Sequence, residues 1–377
     1  MGARWSWMSG ILLGMASCSS GGGGGGPSGT FLDSAVEGLT ATSGTTISVT
    51  DAQGRFSYAS GQAVTFSVGD VVLGVAQGAA IVTPLDLSPG AVDETDPTVT
   101  NIARFLQTVD SDLDPDNGIV IDAAVQQAAM GVTIDFTQPI AQFEATEQAQ
   151  VDTLTAGLPG GARPLVSAAQ AQAHLARTLR SVVAGRYEGS YSGDDSGPFE
   201  VFVDRDGNLF GWAISDFDGL IGLSGGADVD GGFLAGNAST GATFSGQIEP
   251  DGTLSGTWSL SPESGTFQGR RTISLDVDLD EALIDQLAGS YAGTSTSGGI
   301  TEPETLTLDD DGNIAVPPPG ERIAGTIYST SGTRAEIFAL TDEGCVIQGT
   351  FELPGNLTGD ARNDYEGERA TFTLQKQ

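Results

Sequence analysis

Basic residues are scarce in this chain. Lys plus Arg number 15 in 377 residues, one of them a lysine (Lys376), against 49 Asp plus Glu, so the formal net charge is -34. A polyanionic surface repels phosphate, which makes nucleic acid and anionic lipid headgroups poor partners, and no nucleic acid is expected. Histidine occurs once and cysteine twice, at Cys18 and Cys345. Two cysteines give no disulfide framework and no cysteine-based zinc site. No later segment approaches the roughly 18 uninterrupted apolar residues that cross a bilayer as a helix. What is plentiful is glycine, 55 residues, with only 17% charged residues, a composition of short strands joined by tight turns. At about 100 to 200 residues per domain, the length predicts two to four domains.

The N-terminus MGARWSWMSGILLGMASC has one early cation (Arg4), an apolar stretch around Ile11 to Ala16, and small residues Ala16 and Ser17 just before Cys18. Residues 1–17 therefore read as an export signal. The cysteine after two small residues, followed by SSGGGGGGPSG, resembles the lipobox of bacterial lipoproteins, although Met15 stands where that family usually has Leu. The resemblance implies cleavage before Cys18, diacylation of its sulfur, and a disordered tether over residues 18–30. The implied partner is a membrane, reached through lipid on Cys18. Ser19 is not the Asp that retains such proteins at the inner membrane in enteric bacteria, so the resemblance points to the outer membrane. Gly21 to Gly26 lack the Lys-Ser/Thr of a phosphate loop and read as spacer. Cys345, in the strand-like GCVIQGTF, reads as a small buried hydrophobe.

The expected fold is mainly β with a helical connector. Residues 31–95 alternate apolar and polar residues between turn signals (TTISVT, AVTFSVGD, VVLGVA), the pattern of a small β-sandwich. Within them Thr50-Asp51-Ala52-Gln53-Gly54-Arg55-Phe56-Ser57-Tyr58 resembles the turn-and-strand signature of carboxypeptidase-regulatory-like and prealbumin-like modules. That resemblance implies a structural or adhesive module without chemistry. Residues 96–185 change to helical periodicity: NIARFLQTVD sets Ile102, Phe105, Leu106 and Val109 on one face, and PLVSAAQAQAHLARTLRSVVAG opens at Pro164 and closes at Gly185. This connector is expected to pack on the first module. Its arginines Arg163, Arg177 and Arg180, with Arg186 just beyond, are expected to pair with carboxylates.

The remainder is an internal repeat. FSGQIEPDGTLSGTW at 244–258 aligns without gaps on IQGTFELPGNLTGDA at 347–361, so Gly246, Gly252, Leu254 and Gly256 match Gly349, Gly355, Leu357 and Gly359. Ala184-Gly185-Arg186-Tyr187 likewise matches Ala288-Gly289-Ser290-Tyr291, and the turn at 204–208 matches 309–313. Two tandem antiparallel meanders follow, 186–275 and 289–377, each with seven or eight strands and joined by a short helix at 276–288. Eight strands suffice to close a small barrel, and an open sandwich is the alternative.

Candidate sites are few. Asp110, Asp112, Asp114 and Asp116 alternate through DSDLDPDNG, a spacing that gathers hard oxygens for calcium. An EF-hand would need Gly and Glu where Pro115 and Ile121 stand, so the choice lies between a looser calcium loop and a solvated acidic turn. The Asp-Gly steps at 204–208 and 309–313 read as hairpin chemistry. His174 sits on an amphipathic helix and reads as structural and partly exposed. Gly222-Leu223-Ser224-Gly225-Gly226 matches the G-x-S-x-G string without the strand-to-helix turn that exposes such a serine. Tyr187, Tyr191, Trp212, Trp258 and Tyr291 read as barrel core or interface. The function expected is a non-catalytic, lipid-anchored envelope or surface lipoprotein acting in adhesion, scaffolding or binding, with a protein or glycan partner. The alternatives are a small ligand held inside a C-terminal barrel and a secreted hydrolase using acidic residues.

Overall fold

The computed structural model describes residues 26–377 apart from 218, 238, 276–278, 280, 311, 316–322, 342–344 and 364–366. The stretch read as an export signal and Cys18 lie outside the described residues, as does most of the stretch read as tether. The first strand, Ser28–Phe31, begins inside the stretch read as tether. It pairs antiparallel with Arg55–Ser57 and parallel with Ile81–Val82. A second sheet runs in the order Thr46–Val49, Thr40–Ser43, Ala63–Val68, Val71–Gln77. In Ala63–Val68 the alternation is clean, with Val64, Phe66 and Val68 fully buried.

Helix α1 (Pro97–Val109) starts where Asp96 accepts hydrogen bonds from the Thr98 and Val99 N–H groups and Pro97 occupies the first turn. Every residue from Val99 to Val109 is buried, so α1 lies at the centre of its unit. Against it pack α3 (Ile140–Thr155) and α4 (Ala168–Val183), and α2 (Ala123–Ala128) packs on α3. Phe31, Phe66, Ile102, Phe105, Phe143 and Val151 belong to one core. The strand Val36–Glu37 pairs in parallel with Ile119–Val120, from the helical stretch. Module and connector are thus one folded unit, closed by contacts far apart in sequence.

Two closed antiparallel eight-stranded barrels follow. The first comprises Gly185–Gly193, Gly197–Val203, Asn208–Ser215, Gly219–Ala227, Gly232–Gly236, Thr243–Ile248, Thr253–Leu260 and Glu263–Ser274. Its first and last strands pair to close it. The second comprises Gly289–Ser297, Ile300–Leu308, Asn313–Ala315, Ile323–Ser331, Arg334–Thr341, Cys345–Glu352, Asn356–Asn363 and Glu368–Lys376, closed in the same way.

Equivalent residues do equivalent work in the two barrels. A helix leads into each, α4 into the first and α5 (Glu281–Leu287) into the second. The chain turns out of each helix at Gly185 and Gly289, with φ of 144° and 143°, values that L side chains rarely adopt. The hydroxyls of Tyr187 and Tyr291 then donate back to the carbonyls of Val183 and Leu287, at 2.5 and 2.6 Å. Inside the barrels, Gly246 faces Gly256 and Gly349 faces Gly359 across neighbouring strands. A Cβ on Gly256 would stand 2.5 Å from Phe267 Cζ, and one on Gly359 would stand 2.5 Å from Phe372 Cζ. The repeated glycines therefore make room for a repeated phenyl ring.

Both interiors are filled. In the first barrel Phe267 lies against Phe199, Phe233 and Phe244 with ring centroids 5.5 to 5.8 Å apart, and Tyr191 abuts Trp258 at 5.4 Å. In the second, Tyr291, Ile337, Phe351, Leu357, Phe372 and Leu374 share the core. The four aromatics Tyr187, Tyr191, Trp258 and Tyr291 are barrel core as expected. Trp212 alternates with the inward Leu209 and Ala213 and so belongs to the outer wall, where it is nonetheless buried.

The barrels touch through their walls. Phe202, whose neighbours Val201 and Val203 point into the first barrel, packs with Phe338, Leu340 and Val346 of the second and with Ala184 and Leu275. Arg186 reaches over the Phe338 ring at 5.1 Å and binds Glu200 at 2.6 Å.

Candidate functional site

A cleft of about 290 Å³ opens where the N-terminal unit, α4 and both barrels meet. Its floor begins at the tight turn Asp33-Ser34, pinched by the antiparallel bridge between Leu32 and Ala35. Ser34 has φ of 53°, a left-handed conformation uncommon for a residue with a side chain. Its N–H donates to Thr178 Oγ1 at 3.1 Å, and its hydroxyl lies 3.2 Å from Nε2 of His174. On the other side of the imidazole, Nδ1 is 3.0 Å from Asp116 Oδ1. Neutral His174 serves both contacts when Nδ1–H donates to Asp116 and Nε2 accepts from Ser34. Asp116 also accepts from Arg177 at 2.7 Å.

Beneath this chain lies Asp33, fully buried and 3.7 Å from His174 Nε2. Burial pushes its carboxyl up to about 6, although His174 and the Gln107 amide both act to lower it. Burial works against protonation of His174, but Asp116 and Asp33 outweigh it and raise its pKa. The His174 hydrogen bond, helped by Arg177, holds Asp116 below the usual carboxylate range.

The barrels supply the opposite wall. Arg205 and Asp206 come from the turn of the first repeat, Asp310 from the equivalent turn of the second, and Asp285 from α5. Asn313 Nδ2 donates to Asp206 Oδ2 at 2.8 Å, tying the two turns together. These turns are hairpins, as their Asp-Gly steps imply: Asp204 accepts from Gly207 N–H and Asp309 from Gly312 N–H. They also line the cleft, a role no local pattern announces.

The Asp-rich loop is organised by protein partners. Asp110 is buried and accepts from Val120 N–H at 2.8 Å and Asp114 N–H at 3.0 Å. Burial is the main cause that pushes its carboxyl up to about 6. Asp112 accepts from Asp114 N–H and from Asn117, and Asp116 is turned away toward His174 and Arg177. The four carboxylates do not converge on one point, and no group of three or more His, Cys, Asp or Glu suited to a metal occurs among the described residues. Alternation in sequence gives convergence only where the loop coils around one centre, and here the short 3-10 turn Pro115–Asn117 carries Asp116 outward.

Other expectations resolve locally. His174 is 6% exposed, not partly exposed, because the Asp33-Ser34 turn covers it. Arg177 and Arg186 pair with carboxylates, whereas Arg163 donates to the carbonyls of Asp110, Ser111 and Pro159 and so clamps the Asp-rich loop from behind. Ser224 lies within the strand Gly219–Ala227, far from any turn that would expose it as a nucleophile. Sequence reading missed Ser34, which is 140 residues from His174. The only local signal was a serine at a turn tip where glycine would be at ease.

No family model matches the chain, and no curated protein matches it. Among solved structures, a proposed outer membrane protein from Bacteroides fragilis NCTC 9343 aligns at 11% identity over 53% of this chain and 99% of its own, with a TM-score of 0.18. A protein of the DUF3598 family from Nostoc punctiforme PCC 73102 aligns at 9% identity over 54% and 99%, with a TM-score of 0.16.

Proposed function

We propose that this is an exported envelope lipoprotein, held by lipid on Cys18, in which the paired barrels form a rigid platform that presents the junction cleft. The observation that carries this reading is the wall-to-wall contact of two filled barrels through Phe202 and Phe338. A barrel whose interior is occupied by Tyr291, Phe351 and Phe372 is a poor container, which speaks against a small ligand held inside the C-terminal barrel. Two barrels joined by an apolar seam hold fixed geometry, which suits scaffolding and display. A net charge of -34 keeps such a platform soluble and apart from anionic headgroups, leaving the acyl chains to hold it at the membrane. By the lipobox resemblance, that membrane is the outer one.

The anchor is tested by fractionation. The parent is expected in the detergent phase and the Cys18→Ser variant in the aqueous phase. Retention of the variant with the parent in the detergent phase would overturn the anchor.

A further inference from the structure

We propose that Ser34 is a nucleophile activated by His174 and oriented through Asp116, and that the junction cleft hydrolyses short carboxylic esters. This departs from the expectation of a chain without catalysis and does not depend on the lipid anchor.

The first support is the contact chain itself. Ser34 Oγ lies 3.2 Å from His174 Nε2, and His174 Nδ1 lies 3.0 Å from Asp116 Oδ1. A base that accepts from a hydroxyl on one nitrogen while a carboxylate holds the other is the arrangement nucleophilic catalysis needs. The three residues come from a turn, a loop and a helix, with Ser34 and Asp116 lying 140 and 58 residues from His174, so no local hydrogen-bonding habit produces the array. The second support is the backbone of Ser34. At φ of 53° it sits at a turn tip where glycine would be unstrained, and strain at a side chain of this kind is characteristic of functional positions. The third is access: Ser34, His174 and Asp116 all line the cleft.

The reaction balances without a cofactor. Ser34 Oγ forms a bond to the ester carbonyl carbon as its proton passes to His174 Nε2, and the carbonyl electron pair moves onto oxygen. When that pair returns, the bond to the alcohol oxygen breaks and the alcohol leaves with the proton from Nε2. Water then attacks the acyl-serine, gives its proton to Nε2, and releases the carboxylic acid while Oγ regains a proton. Thr178, whose hydroxyl accepts from Ser34 N–H, and the cationic Arg177 line the same cleft, where positive charge favours a developing oxyanion. A cleft of about 290 Å³ holds a short acyl group, and Asp206, Asp285 and Asp310 on its wall disfavour anionic esters. The substrate class is therefore a short-acyl ester of a neutral or amine-bearing alcohol.

The test treats the full mature chain with a fluorophosphonate, reads adduct mass and position, and measures p-nitrophenyl acetate hydrolysis alongside. The parent is expected to carry one adduct, on Ser34. Ser34→Gly relieves the positive φ and so keeps the fold; it should lose the adduct and fall to the buffer rate while its melting temperature holds or rises. His174→Gln should slow hydrolysis by about 100-fold or more. No adduct on the parent, an adduct at another residue, or hydrolysis surviving in Ser34→Gly would overturn the proposal.

Discussion

Phe202 and Phe338 face each other across the seam between the barrels, ring centroids 5.4 Å apart and both fully buried. Each sits on the outer wall of its own barrel, a face that alternation would give to water. The strand Gly197–Val203 is buried from Phe199 to Val203 without a break, and residues 335–340 of Arg334–Thr341 are buried or half-buried. A barrel strand apolar on both faces is the signature of a wall that meets another wall.

The repeated glycines make a prediction about packing. Ala in place of Gly256 or Gly359 would put a methyl group 2.5 Å from a phenyl carbon inside a filled barrel. Each substitution is expected to destabilise its barrel by about 1 to 3 kcal/mol. Denaturant unfolding of single variants checks this, and Gly226→Ala, where no positive φ is required and a Cβ would meet nothing nearer than 3.5 Å, serves as the control for a glycine lost without a clash.

The junction should be more stable in mild acid than in mild base. Asp33 and Asp110 have carboxyls pushed up to about 6 from 3.8, so the folded chain holds protons that the unfolded chain releases. Stability from these groups falls as pH rises from about 4 through 6. His174, with a raised pKa, stabilises below its ordinary value and loses that contribution as pH rises through the folded value. Asp112 and Asp116, held low, contribute across this whole range and lose their contribution only in strong acid, so they add no slope between pH 5.5 and 8. The melting temperature is therefore expected to be higher at pH 5.5 than at pH 8, by about 3 °C or more, and Asp33→Asn should flatten the slope. Scanning fluorimetry across that range is the check.

The Asp-rich loop is expected to depend on Asp110 without added metal. Its carboxylate satisfies two backbone N–H groups in a buried position, so Asp110→Ala should cost about 2 kcal/mol or more in calcium-free buffer. Calcium at fixed ionic strength should shift the melting temperature of the parent and of Asp112→Ala alike, because coordination by the full set would have to pull Asp116 off His174 and Arg177.

The barrels were legible because their signal is local and doubled. Matching glycines and Asp-Gly turns recur at nearly constant spacing, and pairing of sequence neighbours needs no long-range information. The N-terminal unit was legible only in part: the parallel pairing of Val36–Glu37 with Ile119–Val120, and the burial of α1 on every side, depend on contacts that periodicity does not encode. The cleft was the least legible. Ser34 carries no motif, and it gains meaning from a histidine that the fold delivers. In the Asp-rich loop the spacing sets four carboxylates at alternate positions, while the turn at Pro115–Asn117 carries Asp116 to His174 and Arg177, partners that no local spacing encodes.

Two barrels that act as one rigid platform hold a fixed separation, which a distance distribution reads. Spin labels at Leu234→Cys and Ile300→Cys, both exposed and one on each barrel, in a Cys18→Ser, Cys345→Ser background report that distance by double electron–electron resonance. One narrow distribution is expected, broadened by Phe338→Asp as a charge enters the seam. A broad distribution in the parent, or a narrow one that Phe338→Asp leaves unchanged, would contradict the rigid platform.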